Sequence, residues 1–96
     1  MKPSKTKQEL EQELGRVLAS LREKRGLSQE ALGVQLGKGQ SNIAKIEGGN
    51  KRITVLEMLE WLVALGLSFS EFEPHLVKVF EELGGTVLPL RTPDNE

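Results

Sequence analysis

The chain has 96 residues and a formal net charge of −1, with 38% hydrophobic and 28% charged residues. This balance is typical of one small globular domain and excludes a disordered chain. Cysteine is absent, which excludes disulfides and thiolate metal sites, and a single histidine with no tyrosine leaves few catalytic side chains.

The first predicted helix spans residues 7–24. Residues 1–6 are polar and basic, and we expect them to form a mobile tail. Thr6 and Glu9 have the spacing of a capping box, and Gly26 supplies the left-handed residue that commonly ends a helix. Apolar residues recur between these points at helical spacing, namely Leu10, Leu14, Val17, Leu18 and Leu21.

Two short helices follow, separated by a tight glycine turn. Ser28 can cap the first, and Gly37 ends it after about two turns. The second covers residues 40–47, where Ile43 and Ile46 form one apolar edge and the other face is polar. Two short helices joined in this way are the sequence form of a helix-turn-helix.

The fourth predicted helix is unusually apolar. Thr54 and Glu57 form a second capping box, and the helix runs to about residue 65, before Gly66. Its apolar arc is wider than the roughly 100° stripe of a surface helix. It includes Val55, Leu56, Met58, Leu59, Trp61, Leu62, Val63 and Leu65. The sequence leaves two explanations equal, a central helix inside the domain or contact with another subunit.

A fifth helix and a short C-terminal segment complete the prediction. Ser68 and Ser70 can cap the fifth helix, Pro74 suits its first turn, and a helical apolar stripe then continues to residue 83. Residues 86–90 are apolar and β-branched, and Pro89 would confine any strand there to a sheet edge. We therefore expect an all-α bundle of five helices, with a short C-terminal strand as an option.

The charge is distributed unevenly along the chain. Residues 1–52 contain eleven Lys and Arg against six acids, a balance of +5, whereas residues 53–96 have two against eight, a balance of −6. Such asymmetry indicates an anionic partner on one side of the molecule. The alternative is that solvated helix faces simply differ in charge.

The residue pattern resembles the Cro/C1-type helix-turn-helix of phage repressors and xenobiotic-response-element regulators. The resemblance is carried by residues 28–33, 40–43 and 46–49, and residues 37–41 are similar to the recognition region of lambda repressor. It implies a lambda-repressor-like fold and sequence-specific DNA binding. An enzyme is not expected, because the chain has no cysteine, no pair of histidines and no glycine-rich phosphate loop. Gly33 departs from the family, which usually has alanine there, at a cost of about 1 kcal/mol of helix stability.

The resemblance also implies roles for individual residues. Gln40 would read an adenine edge in the major groove, and Gln29 would contact a phosphate and brace Gln40. The base-reading residues would be Gln40, Ser41, Asn42 and Lys45. The phosphate-binding residues would be Gln29, Lys38, Asn50, Lys51 and Arg52. Arg22 and Glu47 would form a structural ion pair between the first and third helices. The alternative is an ordinary solvated helix start with solubilising loop charges.

One recognition helix reads only a few base pairs, so we expect a homodimer on a two-fold operator with half-site centres ~34 Å apart. The favoured function is a transcriptional regulator in which residues 7–84 bind DNA; repression is favoured, and the sequence does not decide between repression and activation. Residues 85–96 would then form a tail that serves as an edge strand or a partner segment. The alternative is the antitoxin of a toxin–antitoxin pair, whose C-terminal part neutralises a toxin. A helper regulator of a restriction–modification system is a related variant.

No cofactor or metal is expected, because His75 has no second histidine or cysteine to join it. No apolar run approaches the ~18 residues of a membrane span. No apolar stretch follows Met1-Lys2-Pro3, so a signal peptide is not predicted. A cytoplasmic location is expected.

Overall fold

The computed structural model describes residues 5–85, and every regular element in this range is an α-helix. The helices are α1 Lys7–Lys24, α2 Gln29–Leu36, α3 Gln40–Glu47, α4 Val55–Leu65 and α5 Phe69–Glu82. The predicted all-α bundle of five helices is therefore confirmed. The optional strand at residues 86–90 lies outside the described residues. None of the described helices is long and apolar enough to cross a membrane.

The helix ends follow the capping chemistry of the sequence. Thr6 Oγ1 accepts a hydrogen bond from the Glu9 N–H, and the Glu9 carboxylate accepts one from the Thr6 N–H. Thr54 and Glu57 make the same reciprocal pair at the start of α4. Gly37 ends α2 in the left-handed conformation, with φ 67°, which glycine adopts without a steric penalty. Both predicted capping boxes are confirmed.

The fifth helix begins after Ser68, one of its two predicted caps. Ser68 and Glu71 form a third capping box, so α5 starts at Phe69 and Pro74 lies inside it. The placement of Pro74 in the first turn was therefore wrong. The reciprocal bonds of the capping box fix the helix start, whereas Pro74 only removes the N–H that would have bonded the Ser70 carbonyl.

The core lies where residues from all five helices meet. Its largest fully buried side chains are Trp61, Phe72, Leu18, Leu32 and Ile43. Trp61 therefore belongs to the core of the domain rather than to a subunit interface. Its indole N–H has no hydrogen-bond partner among the described residues, so apolar packing alone holds the ring in place.

The wide apolar arc of α4 divides into two sides. The buried side, formed by Met58, Trp61, Leu62 and Leu65, belongs to the core. The opposite side, which we term the α4 apolar face, consists of Val55, Leu56, Leu59 and Val63. The Val63 side chain is 78% exposed and that of Val55 70%. The described residues leave this face uncovered, so burial inside the domain does not account for the arc.

Candidate nucleic-acid interface

α2 and α3 form a helix-turn-helix around the turn at residues 37–39. Gly33 lies directly against this turn, because a Cβ atom there would be 2.6 Å from the Lys38 carbonyl oxygen. The Lys38 N–H donates to the Gly33 carbonyl at 2.8 Å. The small residue on the inner face of α2 therefore allows α3 to begin immediately beside it.

A chain of side-chain hydrogen bonds connects the start of α3 to the interior. Gln40 Nε2 donates to Gln29 Oε1 at 2.7 Å, and Gln29 Nε2 donates to Glu47 Oε1 at 2.9 Å. Because Gln29 accepts from one partner and donates to the other, its amide has a fixed orientation. That orientation fixes the Gln40 amide in turn, and the Gln40 Oε1 and the second Nε2 hydrogen are left for a ligand.

Arg22 and Glu47 form a buried ion pair between α1 and α3. Arg22 Nε donates to Glu47 Oε2 at 2.6 Å and a terminal nitrogen donates to Glu47 Oε1 at 3.0 Å. The other terminal nitrogen bonds the Leu27 carbonyl at 2.7 Å. The hydrogen bond with Glu47 raises the pKa of Arg22. This bidentate arrangement fixes the angle between the two helices more than it adds net stability.

The first turn of α3 is exposed and lacks a side-chain cap. Gly39 occupies the N-cap position and offers no side chain to the first N–H groups of the helix. Gln40 and Ser41 are both exposed in this turn. A helix N-terminus with free N–H groups favours an anionic neighbour such as a phosphate.

The remaining proposed base-reading residues lie further along α3. Asn42 is partly buried, and its Oδ1 accepts a hydrogen bond from Lys51 Nζ at 3.1 Å. Lys45 is exposed and makes no side-chain hydrogen bond or ion pair within residues 5–85. The structure therefore brings Asn42 and Lys51 together and leaves the Lys45 ammonium accessible.

Lys38 is held by a carboxylate rather than exposed as a free cation. Its Nζ lies 3.0 Å from Glu57 Oε2, and both side chains are partly buried. The backbone hydrogen bond from Thr54, followed by the contact with Lys38, lowers the pKa of Glu57 to about 2. The pair therefore ties the turn of the helix-turn-helix to the start of α4, a link that sequence reasoning missed because the two residues are far apart in the chain.

The loop between α3 and α4 carries the other proposed phosphate contacts. Asn50, Lys51 and Arg52 are all exposed there. Arg52 Nε lies 3.4 Å from Glu11 Oε2 of α1. The structure thus places these three residues on one exposed loop beside α1, with Arg52 partly neutralised.

Gly15 is a positioning residue that the sequence analysis missed. A Cβ atom there would be 2.5 Å from the Glu47 carbonyl oxygen and 2.6 Å from that of Ile46. The missing side chain lets α1 and α3 touch backbone to backbone. The available signal was a glycine inside an otherwise regular helical pattern, which costs about 1 kcal/mol and usually has a packing reason.

Comparison with known proteins gives a family and several similar structures. The family model described as "Helix-turn-helix domain" matches residues 13–73. The restriction-modification controller protein C.AhdI from Aeromonas hydrophila is 30% identical with a TM-score of 0.58, over 66% of this chain and 90% of that one. No curated protein sequence matches this chain.

Two further structures share the fold at lower sequence identity. A single-residue mutant of the restriction-modification controller protein C.Esp1396I is 22% identical with a TM-score of 0.67, over 75% of this chain and 96% of that one. The clp gene regulator ClgR from C. glutamicum is 22% identical with a TM-score of 0.64, over 77% of this chain and 91% of that one. These two similarities show a shared fold.

Proposed function

Because this chain belongs to the helix-turn-helix domain family and is a DNA-binding regulator of the Cro/C1 type, we propose that it represses transcription as a homodimer on a two-fold operator. In this proposal α3 enters the major groove, and Gln40, Ser41, Asn42 and Lys45 contact base edges. Asn50 and Lys51 of the loop after α3, with Gln29, contact phosphates, whereas Lys38 and Arg52 stay paired with Glu57 and Glu11.

The observation that carries the proposal is the oriented amide of Gln40. Reading adenine needs an acceptor for its N6 amino group and a donor for its N7 atom on one side chain. Gln40 retains both after its bond to Gln29, because an amide nitrogen carries two hydrogens. Its side chain is therefore oriented before DNA arrives, which reduces the entropy lost on binding.

The Gln40 role is tested by selecting an operator from a randomised duplex pool and measuring affinities for all four bases at each position. Gln40→Ala is expected to cost about 1–3 kcal/mol and to relax the preference at one position of each half-site. Gln35→Ala, a matched change on α2, should keep the preference. Lys51→Ala should weaken all sequences about equally. Unchanged base preference in Gln40→Ala would contradict the proposed contact.

The α4 apolar face supports the homodimer. Four neighbouring apolar side chains on one helix are exposed, and contiguous apolar surface of this kind marks interaction sites in proteins of this size. A two-fold axis through the face would pair it with the same face of a second copy. The dimer would then place two α3 helices on successive half-sites.

The dimer is tested by sedimentation velocity with charge introduced on this face. Val63→Glu is expected to weaken self-association by at least about tenfold, because it would bury an unpaired carboxylate at the interface. Val34→Glu is the matched control, since Val34 is equally exposed but lies on α2. Because Val63→Glu weakens dimerisation, its affinity for the operator should fall as well. A monomeric parent chain, or equal effects of both variants, would contradict the proposed interface.

Control of restriction–modification genes is a second candidate for the biological role. It is favoured by the 30% identity to C.AhdI, whose name describes it as a restriction-modification controller protein. The antitoxin alternative depends on residues 85–90, most of which lie outside the described part of the chain. The neighbouring reading frames distinguish the two, because a methyltransferase and endonuclease pair supports the first and a small toxin gene supports the second. The division into a DNA-binding unit at residues 7–84 and a tail at 85–96 remains part of the proposal.

A further inference from the structure

A groove between α1 and α5 combines positive charge with an apolar floor. We term it the α1–α5 groove, and its volume is approximately 360 Å³. Its cations are Lys5, Arg16, Lys24 and Lys78, and Val17 and Leu21 contribute apolar surface. None of these residues belongs to the interface with DNA described above.

The charges in the groove are only partly neutralised. Lys5 Nζ lies 2.6 Å from Glu13 Oε1 and 2.9 Å from Glu82 Oε2, so the Lys5 ammonium forms ion pairs with two carboxylates. Lys78 Nζ is 3.8 Å from Glu13. Within residues 5–85, Arg16 and Lys24 have no ion-pair partner. Among the described residues, the groove therefore has two cations without an ion-pair partner, Arg16 and Lys24, beside the ion pairs of Lys5 and Lys78.

The groove lies on the side of α1 that faces away from α3. Gly15 contacts the carboxyl end of α3, as its proximity to the Glu47 carbonyl shows. At 3.6 residues per turn, Val17 and Lys24 lie about 160–180° around α1 from Gly15. DNA held by α3 is therefore separated from the groove by the width of a helix, about 10 Å.

The spacing of the cations indicates the shape of the ligand. Glu13 and Lys24 lie at the two ends of the groove, about 16 Å apart along the axis of α1. A single phosphate or carboxylate cannot reach both ends. An extended peptide covers this length in about five residues and points alternate side chains to opposite sides. Carboxylates on one side would meet the cations while apolar side chains on the other would meet Val17 and Leu21.

A protein segment fits these observations better than a nucleic acid. The single aromatic ring that lines the groove is the half-buried imidazole of His75, and the carboxylates of Glu13 and Glu82 both lie against Lys5 at one end of the groove. A continuous polyanion would be repelled by those groups, whereas a peptide with a few spaced carboxylates would not. We propose that the α1–α5 groove binds a short acidic segment of a partner protein in extended conformation. The regulator would then hold DNA on one side of α1 and a protein on the other.

The proposal is tested with a fluorescein-labelled five-residue peptide of alternating Glu and Leu, followed by anisotropy against the full chain. We expect a dissociation constant below about 1 mM at low salt. A peptide with Gln in place of Glu should bind at least about tenfold more weakly, because its charge-assisted bonds are lost. Failure of the parent chain to bind the Glu peptide, or equal binding of both peptides, would overturn the proposal.

Two charge-reversal variants locate the site. Arg16→Glu with Lys24→Glu should lose at least about tenfold in peptide affinity. Operator affinity, measured at about 0.15 M salt, should stay within about threefold, because the Debye length there is about 8 Å and the groove lies about 10 Å from the DNA. Lys45→Glu with Lys51→Glu makes the same charge change on α3 and the loop after it. This variant should lose operator affinity and keep its affinity for the peptide. Circular dichroism confirms that both variants fold.

A third arm distinguishes a nucleic acid from a peptide. An unlabelled single-stranded oligonucleotide of random sequence is added as a competitor to the Lys45→Glu/Lys51→Glu variant. The proposal expects little displacement of the peptide. Complete displacement at lower concentration than unlabelled peptide would assign the groove to nucleic acid. Loss of peptide binding in both charge-reversal variants alike would show general electrostatic attraction instead. These outcomes are independent of whether the operator proposal holds.

Discussion

Replacing Gly15 with alanine is expected to destabilise the protein, although it should strengthen α1 as an isolated helix. The added Cβ atom would lie 2.5 Å from the Glu47 carbonyl oxygen and 2.6 Å from the Ile46 carbonyl oxygen. Ordinary contacts of a Cβ atom begin at about 3.4 Å. Helix α1 would therefore have to withdraw from α3 by most of an ångström.

Two effects of opposite sign decide the outcome. Alanine gains about 1 kcal/mol of helix propensity over glycine. Overpacking a close-packed contact costs about 1–3 kcal/mol. We expect the upper part of this range, because the obstructing atoms are backbone and the Arg22–Glu47 pair, at 2.6 Å, spans the same interface. The net loss should be about 1–2 kcal/mol, which corresponds to a fall in Tm of roughly 5–15 °C.

Urea and thermal unfolding followed by circular dichroism measure this loss, with both proteins at one concentration because dimerisation would shift the midpoint. Ser20→Ala is the control, since Ser20 is an exposed α1 residue and its change should stay within about 0.5 kcal/mol. Operator affinity should also fall in Gly15→Ala as α3 is displaced. A Gly15→Ala protein that is as stable as the parent would refute the reasoning, because α1 and α3 could then separate without cost.

Three further predictions concern single contacts. Gly33→Ala should be no more stable than the parent in urea, because its Cβ atom, 2.6 Å from the Lys38 carbonyl, offsets the gain in propensity of about 1 kcal/mol. Glu47→Leu should lose about 3–5 kcal/mol by leaving a buried guanidinium unpaired, and Arg22→Met added to it should restore most of that loss in the same assay. Glu57 has a pKa of about 2 in the fold against 4.5 ordinarily, so its contribution is present above pH 4.5 and is lost as the pH falls to about 2. Between pH 4.5 and about 2, the free energy of unfolding should therefore fall by about 1 kcal/mol less in Glu57→Gln than in the parent, once solvent screening is taken into account.

The helix starts were the most predictable part of the fold, because capping is local chemistry. Thr6 and Thr54 each have a glutamate three residues on, and both boxes form as the spacing predicts. Ser68 has the same spacing to Glu71 and was one of two predicted caps, whereas the placement of Pro74 in the first turn was wrong. Where two local signals compete, the one that makes reciprocal hydrogen bonds determines the helix start.

The positions that escaped prediction depend on contacts between distant residues. The closeness of Gly15 to α3 and the pairing of Lys38 with Glu57 depend on how helices pack. Periodicity places a residue on a face of its own helix but does not identify what lies opposite. For the same reason the sequence left the α4 arc with two explanations, and only the packed structure separates its buried side from the exposed Val63 side.

The ion pairs near α3 bear on how strongly operator binding should depend on salt. If Lys38 stays with Glu57 and Arg52 with Glu11, only Lys45 and Lys51 of each protomer remain to neutralise phosphates. A dimer would then make about four such contacts, and the slope of log K against log salt would be near −3.6. Release of both pairs would double the number of cations and bring the slope near −7. We expect the shallower value, because a partly buried Lys38–Glu57 pair also caps α4 and its release would cost part of that cap. Anisotropy titrations at four salt concentrations distinguish the two, and a slope near −7 would mean that DNA displaces the carboxylates.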